Sequence, residues 1–152
     1  MRSPLAVLTL AVALACQSAA QSDRDSASEK QVADTGVVML TLDKTAYAPG
    51  ATAIMTIMSQ RSDTLGYNPC SNRSVERETP TGWVVHPEPN RMCTMELRLL
   101  KPGETQTAQT DVPADVTAGT YRIVLRLRPE ASDSIAGSEV TAASAPFRVP
   151  AS

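Results

Sequence analysis

The chain has 152 residues, with 14 Lys and Arg against 16 Asp and Glu, and its formal net charge is −2. This balance provides no electrostatic basis for binding nucleic acid or an anionic membrane surface, so we predict no nucleic-acid partner. The length suits one domain plus accessory segments, and eleven prolines and seven glycines disfavour long helices.

Residues 1–15 are predicted to be a signal peptide. Arg2 supplies a positive charge, and an apolar run follows from Leu5 to Ala15. That run is long enough for the hydrophobic region of a signal peptide. It is too short for a membrane span, which needs about 20 residues.

The cysteine that follows this run, Cys16, is the predicted membrane anchor. Together with Ala13-Leu14-Ala15 it resembles the lipobox of bacterial lipoproteins, with Ala13 at the position where that family most often has Leu. The resemblance implies that Cys16 becomes the mature N-terminus and carries the lipid. Gln17 then implies the outer membrane, facing the periplasm. The alternative is an ordinary secreted protein, cleaved before Cys16 or after Ala20.

Residues 16–35 are predicted to be the lipidated cysteine and a disordered tether. Residues 17–35 have almost no apolar bulk, so they cannot offset the entropy lost on ordering. From Gly36 onwards the chain changes to short β-rich runs separated by turn signals, and we therefore place a single domain at residues 36–150.

Nine strands are predicted within this domain. In the best alternating run, at 120–128, Tyr121, Ile123, Leu125 and Leu127 share the predicted core face. At 94–99, Met95, Leu97 and Leu99 share a face that also predicts a core, and Cys93 has the same inward parity. This pattern predicts an all-β fold, an antiparallel immunoglobulin-like β-sandwich of about seven to nine strands. The predicted strands are 37–42, 51–59, 65–67, 74–79, 83–86, 94–99, 105–112, 120–128 and 142–149.

Four stretches carry a family resemblance: "LDKTAYAPGATAIMTIMSQRSDTLGY", "GWVVHPE", "ELRLLKPGETQT" and "PADVTAGTYRIVLRL". They resemble a bacterial Ig-like domain found in lipoproteins and secreted proteins of unassigned function. A looser likeness is to the proteinase-inhibitor-type Ig-like domain of bacilli. The run "DVTAGTY" also resembles the tyrosine corner of Ig folds, with Tyr121 beginning the penultimate strand. Because Ile123 stands where the second Ig cysteine would fall, any disulfide must lie elsewhere.

Cys70 and Cys93 form an even pair once Cys16 is assigned to the lipid. In an oxidising compartment this pair predicts a disulfide that closes the loop between them, and we call residues 68–93 the excursion. A copper site is an alternative, because Met92, Cys93 and Met95 supply soft ligands near His86, but His₂Cys sites need two histidines. A cysteine nucleophile with His86 as its base would lack an orienting third group. We therefore predict no catalytic residue, no metal and no cofactor, and the protein is not expected to be an enzyme.

The binding candidates lie in two places. Trp83 and His86 belong to the excursion, where Trp83 is expected in the core and His86 exposed without a partner. Arg122, Arg126 and Arg128 line one face of a strand, as a docking stripe or simply a solvated face. We predict a non-catalytic, lipid-anchored envelope domain that binds another envelope protein or has a structural role. A proteinase inhibitor acting through residues 68–93 and a copper-binding envelope protein are the alternatives.

Overall fold

A computed structural model of the protein describes residues 36–130 and 139–151. The predicted signal peptide, Cys16 and the tether lie outside the described residues, so all three stay predictions.

The described part of the chain forms ten β-strands and no helix. Their bounds are β1 (Val38–Leu42), β2 (Thr52–Ser59), β3 (Leu65–Tyr67), β4 (Arg73–Thr79), β5 (Gly82–Val85), β6 (Arg98–Leu100), β7 (Thr105–Asp111), β8 (Gly119–Pro129), β9 (Val140–Ala143) and β10 (Phe147–Val149).

The strands assemble into two antiparallel sheets. The smaller sheet has the order β1-β2-β7, and the larger has the order β5-β4-β8-β3-β6, with β9 and β10 also pairing with β8. Leu125 pairs with both Arg73 of β4 and Ala142 of β9, so these two strands lie on opposite edges of β8. The eleven-residue β8 is therefore the central strand of the larger sheet, and the predicted all-β sandwich is confirmed.

The inward faces of both sheets form the core that the alternation predicts. Ala53, Met55 and Ile57 of β2 are fully buried. The predicted inward face of β8 is confirmed too, with Tyr121, Ile123, Leu125 and Leu127 all buried. Two-residue periodicity is reliable here because each of these strands has one face on the core.

The predicted tyrosine corner is present. The Tyr121 hydroxyl donates a hydrogen bond to the backbone carbonyl of Thr117 at 2.8 Å. Ile123, in the position of the second Ig cysteine, is fully buried. The corner therefore fixes the entry into β8 without the disulfide that usually accompanies it.

The predicted strand at 94–99 is wrong. Only residues 98–100 form β6, and Leu100, rather than Met95 or Leu97, enters the core. The reason is Asn68, whose side-chain amide donates to the carbonyls of Thr94 at 2.8 Å and Glu96 at 2.6 Å. A side chain thus satisfies these carbonyls, and the stretch needs no neighbouring strand.

The predicted closing strand at 142–149 is interrupted. Residues 144–146 separate β9 from β10. The Ser144 hydroxyl accepts a hydrogen bond from the Ile123 amide at 3.0 Å and donates to the Ala145 carbonyl at 2.8 Å. Pro146 has no amide hydrogen to continue the ladder.

Candidate functional site

The predicted disulfide joins Cys70 to Cys93, with their Cα atoms 5.6 Å apart. It ties the turn after β3 to residues 86–97, which we call the clamped segment. Both cysteines are half-buried, so the inward orientation predicted for Cys93 is wrong. Its position is set by the bond to Cys70 rather than by the parity of a strand.

A buried arginine provides a second attachment for the clamped segment. The Arg73 side chain is only 4% exposed, and its Nη1 donates to Glu88 Oε1 at 2.7 Å. Its Nη2 donates to the carbonyl of Asp111 at 2.9 Å, whereas its Nε has no hydrogen-bond partner among the described residues. Burial lowers the pKa of this guanidinium.

Arg91 completes the cluster around Glu88. Its Nη1 donates to Glu88 Oε1 at 3.0 Å, and its Nη2 donates to the Arg73 carbonyl at 2.9 Å. One carboxylate therefore bridges two arginines, and the bridge joins the clamped segment to β4 and, through Arg73, to β7. The segment is rigidly held although it has no regular secondary structure.

A cavity of about 610 Å³ lies between β7 and the clamped segment, and we call it the β7 groove. The side chains of Ile54 and Met92 line it, together with Cys70. A second cavity, of about 600 Å³, lies beside Pro87 and Pro89. Because Arg73 and Arg91 line both cavities, the arginine cluster forms the wall that they share.

His86 is not the unpartnered, exposed residue that the sequence predicts. Its Nε2 lies 2.9 Å from Asp115 Oδ1, and its side chain is only 17% exposed. This hydrogen bond lowers the pKa of the Asp115 carboxyl. The contact joins the start of the clamped segment to the loop before β8, which strand parity could not reveal.

Trp83 does not lie in the core as predicted. It is half-buried on the outer face of the larger sheet, where the Arg122 guanidinium lies 4.4 Å from the centre of its ring. Glu76 accepts a hydrogen bond from Arg122 Nε at 2.7 Å. A cation–π contact stabilised by a neighbouring carboxylate accounts for this position.

The three predicted arginines do share one face of β8. Arg126 and Arg128 lie beside Glu139, at 3.5 Å and 3.7 Å, and are more exposed than Arg122. The predicted binding residues therefore fall into two places, with Trp83 and the arginines on the outer face and His86 beside Asp115. The structure does not bring them into one site.

Sequence reasoning missed the apolar side chains that are most exposed among the described residues. Met92 and Met95 are 95% and 101% exposed, and Leu97 is 69% exposed. Leu97 and Leu99 lie over Gly66, since a Cβ added there would be 3.4 Å from Leu97 Cδ1 and 3.8 Å from Leu99 Cδ2. The local sequence offered no signal for this exposure, because the contact that holds residues 94–96 out of a strand comes from Asn68.

The copper and nucleophile alternatives both need a free Cys93 thiolate, and the disulfide removes it. In the part of the chain that the structure describes, no three His, Cys, Asp or Glu side chains are grouped as a metal site would require. Nor do those residues include a helix of the length and hydropathy that crossing a membrane demands.

Two solved structures show a distant likeness to this chain. The sporulation control protein Spo0M from Bacillus subtilis is 15% identical with a TM-score of 0.44, and the match covers 77% of this chain and 50% of that one. The chain thus spans half the length of that protein. The PapD-like domain 7 of human CEP192 is 12% identical with a TM-score of 0.34, covering 76% of this chain and 86% of that one.

No protein with a curated description matches the chain. A family model described as "Bacterial Ig-like domain" matches residues 34–146, which include strands β1 to β9 and end just before β10. The disposition of the two sheets and the tyrosine corner agree with that match. The chain belongs to the bacterial Ig-like domain family.

Proposed function

We propose that this protein is a non-catalytic interaction domain of the bacterial cell envelope, anchored by a lipid on Cys16. The family and the sandwich fold support an interaction or structural role. The observation that carries the proposal is the apolar surface of the clamped segment, where Met92, Met95 and Leu97 face solvent. Apolar side chains fixed in solvent cost solubility, and such surfaces commonly mark contacts with a partner.

Rigidity of the clamped segment supports the same role. The disulfide, the Glu88 bridge and the Asn68 amide hold the segment at separate points. A surface that is already ordered loses little conformational entropy when a partner binds. Loops held on a rigid scaffold carry binding function more often than the scaffold itself.

The test is affinity capture from an envelope extract of the source bacterium. We expect the wild-type protein to retain a defined partner, and the double variant Met95→Ser/Leu97→Ser to retain at least tenfold less. Val84→Ser is the matched control, because Val84 is also exposed but lies on β5. Equal retention by wild type and the double variant would contradict the proposed surface.

The anchor is tested separately. We expect Cys16 to incorporate a palmitate analogue during metabolic labelling, and Cys16→Ala to release the protein from membranes. A mature wild-type protein that keeps Cys16 and stays unlabelled would exclude the lipid anchor and leave the secreted form. The interaction surface does not depend on this result.

A further inference from the structure

Among the described residues, no strand covers one edge of β7. Within residues 36–130 and 139–151, β7 pairs only with β2, in the register Ala53–Thr110, Met55–Ala108 and Ile57–Gln106. A constant-type immunoglobulin sheet has four strands and places one more strand at this position. Here the clamped segment passes beside β7 without forming a backbone ladder with it.

The backbone hydrogen bonds show which residues of β7 face this edge. Both backbone groups of Val112 bond towards β2, its amide to the Ala51 carbonyl at 2.9 Å and its carbonyl to the Gly50 amide at 3.1 Å. Because directions alternate along a strand, the even-numbered residues of β7 also bond towards β2. The amide and carbonyl of Gln109 therefore point into the β7 groove.

Two arginines already act as hydrogen-bond donors along this edge. Arg98 Nη1 donates to the Thr107 carbonyl at 3.1 Å, and Arg73 Nη2 donates to the Asp111 carbonyl at 2.9 Å. These are the positions at which the amides of an added strand would donate. Gln109 lies between them, and its backbone groups have no partner among the described residues.

We propose that the β7 groove binds an extended peptide segment of a partner protein, which adds to the smaller sheet as a strand beside Gln109. Main-chain hydrogen bonds to an exposed sheet edge are a general mode of peptide recognition, and pockets for alternate side chains provide its selectivity. The edge-strand proposal rests on the proposed function, and it adds that the partner presents an extended peptide segment.

The lining of the groove indicates which side chains the peptide carries. Ile54 of β2 and Met92 of the clamped segment are among its apolar lining residues. The three arginines that line the groove are already paired, Arg98 with Glu96 at 2.8 Å and both Arg73 and Arg91 with Glu88. Binding therefore depends on the peptide backbone and on uncharged side chains rather than on acidic ones. Arg98 is one-third exposed and can release Thr107 when the peptide binds.

The test uses linear 12-residue peptides selected from a random phage-displayed library on the whole purified protein. Gln109→Pro removes the outward amide hydrogen without removing a hydrogen bond of the β7–β2 ladder, a substitution that edge strands tolerate when that amide faces away from the sheet. Gln109→Thr changes the side chain and keeps the amide. We expect the selected peptides to lose at least tenfold in affinity with Gln109→Pro and to bind Gln109→Thr within twofold of wild type.

Amide hydrogen exchange provides a readout that does not depend on the folding of a variant. In wild-type protein the bound peptide is expected to slow exchange at Gln109 at least tenfold, with little change at Ala108 and Thr110. Equal affinity for both Gln109 variants, or unchanged exchange at Gln109, would overturn the proposal. Failure to select any linear peptide would also overturn it.

The outcomes separate this proposal from the proposed function. If capture of the envelope partner is lost with Met95→Ser/Leu97→Ser and unaffected by Gln109→Pro, the interaction surface stands and the edge-strand mode is excluded. Analytical sedimentation shows whether the protein dimerises when peptide binds. If binding requires a dimer, the occupant of the groove is a second copy of this chain and the partner-peptide proposal is wrong.

Discussion

Glu88→Gln is the most informative perturbation of the clamped segment. The Glu88 carboxylate accepts from Arg73 at 2.7 Å and from Arg91 at 3.0 Å, and it is only 15% exposed. Glutamine keeps the shape and one acceptor but loses the charge, so the buried Arg73 loses the carboxylate that it contacts directly. Breaking a fully buried ion pair costs about 3 to 5 kcal/mol. Because water reaches Arg91, we expect about 2 to 3 kcal/mol here.

Urea unfolding followed by circular dichroism measures this cost. The control is Glu78→Gln, an exposed carboxylate on β4, which should change the free energy of unfolding by less than about 0.5 kcal/mol. Adding Arg73→Met to Glu88→Gln removes the unpaired cation. The double variant should therefore lose at least about 1 kcal/mol less than the sum of the single variants. Additive losses, or a Glu88→Gln cost equal to that of the control, would refute the role assigned to the cluster.

Two further predictions concern the disulfide and the turn before β2. Reduction of the bond between Cys70 and Cys93, which are 23 residues apart in sequence, should lower stability by about 3 kcal/mol in urea titrations while the sandwich still folds; an unchanged midpoint would contradict this. Asp43 accepts hydrogen bonds from the Ile54 amide at 2.8 Å and the Tyr47 hydroxyl at 2.7 Å, and these bonds lower its carboxyl pKa. The resulting stabilisation is present above the unfolded-state pKa of about 3.9 and disappears as the pH falls through the lower folded-state pKa. Asp43→Asn should therefore weaken the dependence of the free energy of unfolding on pH on the acid side. Parallel profiles of unfolding free energy against pH for the two proteins would contradict the assignment.

The fold was largely predictable because its strands bury one face each. Along β8 the core residues Tyr121, Ile123, Leu125 and Leu127 recur at every second position, and a one-residue shift would move all four to the opposite face. The turn residues of "DVTAGTY" likewise predicted the tyrosine corner, which depends on a local hydrogen bond over four residues. The disulfide was predicted from the two cysteines that remain once Cys16 is assigned to a lipid, together with the expected export to an oxidising compartment.

The candidate site was not predictable in the same way, because long-range contacts position it. The alternation of Met95, Leu97 and Leu99 is a valid strand pattern by itself. It is overridden by Asn68, more than 25 residues earlier in the chain, whose amide bonds the carbonyls of Thr94 and Glu96. A contact with a residue so far away leaves no pattern in the local sequence.

Sequence alone determined the class of fold, the buried face of β8 and the pairing of the two domain cysteines, since each depends on local periodicity or on counting. Only the tertiary structure decided that Arg73 is buried against Glu88, that Trp83 packs under Arg122 and that no described residue pairs with the backbone of Gln109 in the β7 groove. The physical reason is that the partners of these groups come from distant strands, and their meeting depends on how the two sheets pack.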